Sequence, residues 1–320
     1  MSRILITGVT GFIGSHLAQA LRREHEVFGL VRHSTSRDMT RLAPFLDGVT
    51  ILTSDLCDLY GIQGVLRKAN PDAVVHLAAM SPVRNSFEMP FAYVQANVTG
   101  TLNLAHGMLD LPRFKKRKLV YAATAEVYGI QSKPPIPEDA VLQPSSPYAN
   151  TKSMTDTYLR MMTPVYGLNT TVMRCVNTYG RKIETNFMVE YLVTAMLKGE
   201  RVFIGAPESL RDYMYVTDHV DAYRAAIRHA EVAGEAFNAA AGFVVSNREL
   251  ALRIAKLTGF PRRKLVLGEY PPGYPSRPLA SDQPFIELDA TKIRTMLGWK
   301  AKVGLDDGLK RTVDYWRTAL

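Results

Sequence analysis

The sequence predicts a doubly wound parallel β-sheet with helices on both faces, followed by a smaller α/β C-terminal part. Two patterns lead there. Short apolar runs alternate with helical stretches as far as residue 175, and those runs are apolar almost throughout, as strands covered on both faces require. RILIT (3–7) is a strand, SHLAQALRR (15–23) an amphipathic helix, and EVFGLV (26–31) and VTILTSD (49–55) are strands. GIQGVLRKA (61–69) is a helix, DAVVHLA (72–78) a strand and AYVQANVTGTLNLAHGML (92–109) a long helix. KLVYAAT (118–124) is a strand, TKSMTDTYLRMMTPVYG (151–167) a second long helix, and NTTVMRC (169–175) closes the series as a strand. The rest is less regular. FMVEYLVTAMLKG (187–199) is a helix, RVFIG (201–205) strand-like, ESLRDYMYV (208–216) a loop and TDHVDAYRAAIRHA (217–230) a helix. SNRELALRIAKLTG (246–259) is a helix that Ser246 caps, with Glu249 in the capping-box position. The Pro- and Gly-rich EYPPGYPSRPLASDQP (269–284) is a loop, and two helices end the chain. A first domain of residues 1–174 plus about 214–242, and a second of 175–213 and 243–320, follow from this order.

Composition excludes several classes. The 320 residues are 47% hydrophobic and 22% charged, ordinary for a globular chain, and no apolar run reaches membrane-spanning length. The start, MSRILITGV, runs straight into a strand and has no signal-peptide layout, so a cytoplasmic protein is expected. Cys57 and Cys175 stand far apart in apolar surroundings, as reduced thiols, and are too few for a zinc site; no metal is expected. The net charge is +9, and its densest run, RFKKRK (113–118), has no interleaved aromatics. That run reads as a solvated face before a strand, and the surplus charge as matching an anionic diphosphate ligand rather than nucleic acid.

TGVTGFIG (7–14) joins the first strand to the first helix, with Gly8, Gly11 and Gly14 spaced by three. Glycines there let backbone N–H groups approach a pyrophosphate at the helix start, and Thr10, Phe12 and Ile13 complete the loop of a Rossmann-type dinucleotide site. The end of the second strand should then carry an acid for the ribose of NAD. It reads VRHSTSR instead, with Arg32, Ser34 and Arg37, which suits the 2′-phosphate of NADP; NAD is the alternative. SDL (54–56) places Asp55, with Leu56 beside it, toward the adenine amino group.

SPYANTK (146–152) sets Tyr148 and Lys152 one helical turn apart on a shared face, opening the helix at Pro147. An ammonium beside a phenol lowers the phenol's pKa and makes it a usable acid and base. AATAEVYG (122–129) ends the preceding strand and holds Thr124 and Glu126 two positions apart, on one face of an extended chain. A hydroxyl, a phenol and an ammonium together suit hydride chemistry on an alcohol. The carboxylate is either a further base or a structural hydrogen-bonder.

The glycine loop, HLAA (76–79), ATAEVYG, YANTK and RDYMYV (211–216) together resemble the extended short-chain dehydrogenase/reductases that act on nucleotide sugars, over essentially the whole chain. VFGLVRHSTSRDMTRL and SFEMP (86–90) are most similar to GDP-mannose 4,6-dehydratases. The resemblance implies that Leu77, Ala78 and Ala79 line the cofactor. It implies that Thr124 holds the C4 oxygen of a nucleotide-diphosphate sugar, that Tyr148 takes its proton and that Glu126 removes the C5 proton before water leaves C6. It also implies substrate contacts at Asn177, Arg211 and Arg277; Asn186 and Phe187 open the next helix, whose N–H end can meet phosphate, and Arg84, just after HLAA, is placed to face the sugar. Ala125 departs from the pattern, since relatives acting on TDP-glucose carry an aspartate there and GDP-mannose enzymes often a serine. A 4-epimerase, a reductase or a decarboxylase on the same scaffold is therefore the alternative. A dinucleotide-sensing regulator would not need the Tyr148 and Lys152 pair. The resemblance further implies a homodimer through the helices near 90–109 and 147–166, or a homotetramer through the loop from Arg32 to Arg37.

Overall fold

The computed structural model of the protein describes residues 1–32, 44, 46–271, 273, 278 and 281–320. In chain order the strands are β1 (Arg3–Thr7), β2 (Glu26–Val31), β3 (Thr50–Thr53), β4 (Ala73–His76), β5 (Lys118–Thr124), β6 (Asn169–Cys175) and β7 (Asn177–Tyr179). They continue as β8 (Val202–Ile204), β9 (Leu210–Tyr215), β10 (Glu235–Ala239), β11 (Val244–Ser246), β12 (Leu265–Leu267) and β13 (Phe285–Ile286). Seven of them form one parallel sheet in the order β10-β6-β5-β4-β1-β2-β3. The chain leaves β1 toward β2 on one side and reaches β4 on the other, which opens a crevice beyond the strand ends where open α/β sheets bind ligands.

Alternation along each buried strand feeds two cores. Ile4, Ile6, Val75 and Val120 pack on one face against the helices Phe12–Leu21, Val216–Arg228 and Thr291–Leu297. Leu5, Val74, Leu119 and Tyr121 pack on the other against Leu59–Ala69, Gly100–Leu109 and Pro147–Tyr166. Continuous apolar strands are the sequence signature of this two-sided burial. A third core joins Met188–Leu197, Asn247–Thr258 and Leu305–Ala319 beside the small sheets. Ser246 Oγ accepts from Glu249 N at 3.0 Å and caps the helix Asn247–Thr258.

Two readings from sequence are corrected and one strand is added. ESLRDYMYV is not a loop throughout: β9 occupies its centre and pairs with β7, β11 and β13. Glu235–Ala239, unassigned from sequence, is the edge strand of the large sheet beside β6. RFKKRK is not all solvated. Arg117 and Lys118 are buried; Arg117 donates from Nη2 to Asn70 Oδ1 at 2.6 Å, and Lys118 Nζ donates to the carbonyl of His229. Part of the basic run thus ties β5 to its neighbours rather than facing a ligand. The long helix before β5 also departs from regular geometry, with a π-helical stretch over Val94–Thr99.

Candidate active site

The glycine loop and the segment after β4 meet at the crevice. Leu77 N donates to Thr7 O at 3.3 Å, and Ala78 N to Thr7 Oγ1 at 3.2 Å. Gly8 turns the chain at φ +69°, and a β-carbon there would lie 2.7 Å from Ala78 N. At Gly14 a β-carbon would lie 2.2 Å from Gly8 O, inside the loop itself. The helix Phe12–Leu21 starts at Gly11 with no side-chain cap, so its first N–H groups are not claimed by a capping side chain. Thr10, Phe12 and Ile13 are half-buried around this turn, as are Leu77, Ala78 and Ala79 opposite. A backbone cradle that any side chain would fill, at a helix start with a positive dipole end, fits a dinucleotide pyrophosphate. Below it, His76 is fully buried between Thr7 Oγ1 at 2.6 Å and Thr101 Oγ1 at 2.9 Å, and burial pushes its pKa down to about 3.

Arg32 is exposed just past β2. Asp55, also exposed, accepts the Cys57 N–H at 2.9 Å, and Leu56 offers its carbonyl to Asn103 Nδ2 at 2.9 Å. Both charges act on Cys57, Asp55 raising its thiol pKa and Arg32 lowering it, with burial the larger cause. The two ends of β2 and β3 are thereby drawn to one place. Ser34 and Arg37 lie outside the described residues.

Thr124 ends β5, and Ser146 caps the helix Pro147–Tyr166 by accepting from Ala149 N at 3.1 Å. That start, with Pro147 at its head, seats Tyr148 against Thr124. The phenol is pushed above its ordinary value, first by burial and then by the Glu126 carboxylate, while the hydrogen bond with Thr124 pulls it down. Lys152 Nζ donates to Ala122 O at 2.7 Å and lies 4.6 Å from the Tyr121 ring centre. Burial lowers this ammonium to about 7. The expected depression of the phenol by Lys152 is therefore not what the arrangement gives: both groups are desolvated, and the lysine's hydrogen bond goes to β5 backbone. Hydroxyl, phenol and carboxylate do converge, at the carboxyl end of β5.

Asn97 was not singled out in the sequence. Buried in the π-helical stretch, it accepts Met80 N at Oδ1 (2.8 Å) and donates from Nδ2 to Met80 O (3.1 Å) and Thr151 Oγ1 (3.0 Å). It locks the segment after β4 to the Tyr148 helix. The extra backbone residue of a π turn, common at functional sites, has no periodic signal by which to read it. Arg174, at the end of β6, is structural: it donates to Asp156 from Nε at 2.7 Å and from Nη2 at 3.2 Å.

Four of the expected substrate residues, Asn177, Asn186, Phe187 and Arg211, follow β6 in the chain. Asn177 is exposed on β7, in register with Tyr213 of β9, whose phenol donates to Asn247 Oδ1 at 3.0 Å. Asn186 is exposed, and Phe187 is the N-cap position of the helix Met188–Leu197. Arg211 is buried on β9 and donates to Leu210 O at 2.8 Å. Arg84 stacks 4.5 Å from the Tyr270 ring centre, joining the segment after β4 to the C-terminal part. Arg277 lies outside the described residues.

Comparison with known proteins agrees with this geometry. The sequence model of the family described as GDP-mannose 4,6 dehydratase matches residues 5–312. The UDP-glucose 4-epimerase of Mycolicibacterium smegmatis is 33% identical, covering 98% of this chain and 98% of its own. The dTDP-glucose 4,6-dehydratase of Streptomyces niveus is 30% identical, covering 98% and 93%. Among solved structures, the UDP-glucose 4-epimerase of Thermotoga maritima with UDP-glucose has a TM-score of 0.87 at 31% identity, covering 99% of each chain. The dTDP-glucose 4,6-dehydratase DesIV of Streptomyces venezuelae, solved with NAD, has a TM-score of 0.86 at 28% identity, covering 99% of this chain and 97% of its own. The chain belongs to the extended short-chain dehydrogenase/reductases, in the branch of nucleotide-sugar 4-epimerases and 4,6-dehydratases.

Proposed function

We propose that the chain is an NADP-dependent nucleotide-sugar 4,6-dehydratase. The observation that carries this reading is the Glu126 carboxylate, near enough to the Tyr148 phenol to raise its pKa. Chemistry at C4 alone needs Thr124 and Tyr148; elimination also needs a base for C5. In this reading Thr124 holds the C4 oxygen and Tyr148 takes the hydroxyl proton. A nicotinamide dinucleotide in the glycine cradle supplies the hydride acceptor for C4 and the donor for C6. With C4 a ketone, the C5 proton is acidic and Glu126 removes it as the C6 hydroxyl leaves as water. Ala125, 2% exposed and apolar, cannot protonate that hydroxyl, so Glu126 returns its proton to it and, recharged from solvent, protonates C5 once hydride has reached C6. Lys152 steadies the end of β5 beneath Tyr148.

The missing acid after β2 and the exposed Arg32 support NADP, whereas solved relatives of 27–29% identity were determined with NAD. For the substrate, Arg211 and Arg277 clasp the diphosphate, Asn177 and the Asn186–Phe187 helix start flank it, and Arg84 faces the sugar. The second domain, 175–213 and 243–320, holds it against the first. GDP-mannose is the first sugar to test because of the family model, with dTDP-glucose and UDP-glucose next. The protein works as a homodimer through helices that carry the exposed Phe91, Met154 and Val165. One observation favours a 4-epimerase as the second reading: Ala125 removes the acid position that an assisted elimination uses.

Glu126→Gln tests the assignment. The water-eliminated product should form about 10²–10⁴-fold more slowly, the ordinary worth of a positioned base, with C4 oxidation retained. Unchanged product formation would refute it.

A further inference from the structure

We propose that Gln283 is a sugar-recognition and positioning residue of this site: its amide N–H steadies the Glu126 carboxylate while its amide oxygen accepts a hydroxyl of the bound sugar. The proposal rests on the nucleotide-sugar reading above. Gln283 precedes β13 and reaches the end of β5 from the C-terminal part of the chain. It is 1% exposed. Its Nε2 lies 3.4 Å from the backbone oxygen of Glu126 and 3.5 Å from Glu126 Oε2. Its Oε1 is buried and has no hydrogen-bond partner among the described residues.

An amide oxygen left unpaired in the interior loses its hydration with nothing in exchange, so such groups are rare away from ligand sites. Turning the amide over would not relieve it. The oxygen would then face a carboxylate and a carbonyl, three acceptors with no proton among them. Glu126 thus fixes which way the amide points and leaves Oε1 as an acceptor awaiting a donor, beside the proposed base. A hexose is a dense array of hydroxyl donors, whereas the diphosphate and the nucleobase belong at the arginines farther along the site. One side chain would therefore register the sugar and hold the base, linking recognition to the C5 step.

The test uses NADP-loaded full-length protein and three probe pairs: GDP with GDP-mannose, dTDP with dTDP-glucose, and UDP with UDP-glucose. Calorimetry is run on wild type and Gln283→Leu. For the pair the wild type binds, Gln283→Leu should weaken the nucleotide sugar about tenfold, one hydrogen bond's worth, and leave the nucleoside diphosphate within twofold. Equal binding of the sugar by both proteins, or equal weakening of both ligands in the variant, overturns the role of Gln283 alone. A wild type that binds no member of any pair overturns the functional reading and this role with it. The positioning half is read from pH profiles. Gln283→Glu places a second carboxylate beside Glu126, so the acid limb of turnover should move up by about one pH unit or more. An acid limb unmoved in Gln283→Glu overturns that half.

Discussion

Gly14→Ala probes the cradle most directly. The added β-carbon would sit 2.2 Å from Gly8 O and 2.9 Å from the carbonyl carbon of Gly8 and from Val9 Cα, all backbone atoms that no rotamer change can move. An ordinary carbon–oxygen approach is about 3.3 Å, so the helix start or the loop must retreat by roughly 1 Å. A shift of that size misaligns the N–H groups at the helix start. Losing two hydrogen bonds to a charged pyrophosphate, at about 1.5–3 kcal/mol each, weakens dinucleotide binding by at least about 10²-fold. Calorimetric titration with NADP and NAD reads the loss, and thermal melts confirm that the variant is folded. Gly64→Ala is the control: it lies on an exposed helix position where no described residue stands within 4 Å of the new carbon. It should leave cofactor affinity unchanged and stabilise by about 0.5–1 kcal/mol. A folded Gly14→Ala that binds within twofold of wild type would refute the cradle.

Arg174 is 1% exposed and Asp156 is fully buried, so Arg174→Met strands a buried charge. It should cost about 3–5 kcal/mol in denaturant unfolding, with Asp156→Leu added to it restoring much of the loss; a cost under about 1 kcal/mol would contradict this. His76 and His219 are both lowered to about 3 by burial. Between their unfolded value of 6.5 and the folded one, the unfolded chain binds protons that the folded chain refuses, so stability falls as pH falls through that window. Each contributes up to about 1.4 kcal/mol per pH unit, and His76→Asn should flatten the measured slope by that amount. An unaltered slope would show that His76 does not carry it. Phe91 is 87% exposed on the proposed interface. Phe91→Asp should convert a dimer to a monomer in light scattering, and an unchanged mass would remove this face from the interface.

The first half of the chain was legible because its signals are local. EVFGLV and KLVYAAT match β2 and β5 to the residue, since two-sided burial writes itself as an unbroken apolar run. β9 was not legible: RDYMY carries an arginine and an aspartate, and three partners distant in sequence make it a strand. β10 escaped for a related reason, because alanines give EAFNA little β character of its own. Within the site, residue identity and spacing exposed Thr124, Glu126, Tyr148 and Lys152. Their charges could not be read the same way. The shift at Tyr148 depends on burial and on where Lys152 Nζ ends up, which is Ala122 O. Gln283 and Asn97 lie far in sequence from the groups they touch, and neither belongs to a spaced motif.

The proposed reaction turns on Glu126 as the base that lets this scaffold eliminate water. Incubating the protein with NADP and GDP-mannose, dTDP-glucose or UDP-glucose in deuterated water, followed by mass spectrometry, tests it most directly. The proposed elimination yields a product that has lost one water and gained deuterium at C5. A product of unchanged mass that separates as an isomer would contradict it, making the chain a 4-epimerase and Glu126 a structural residue.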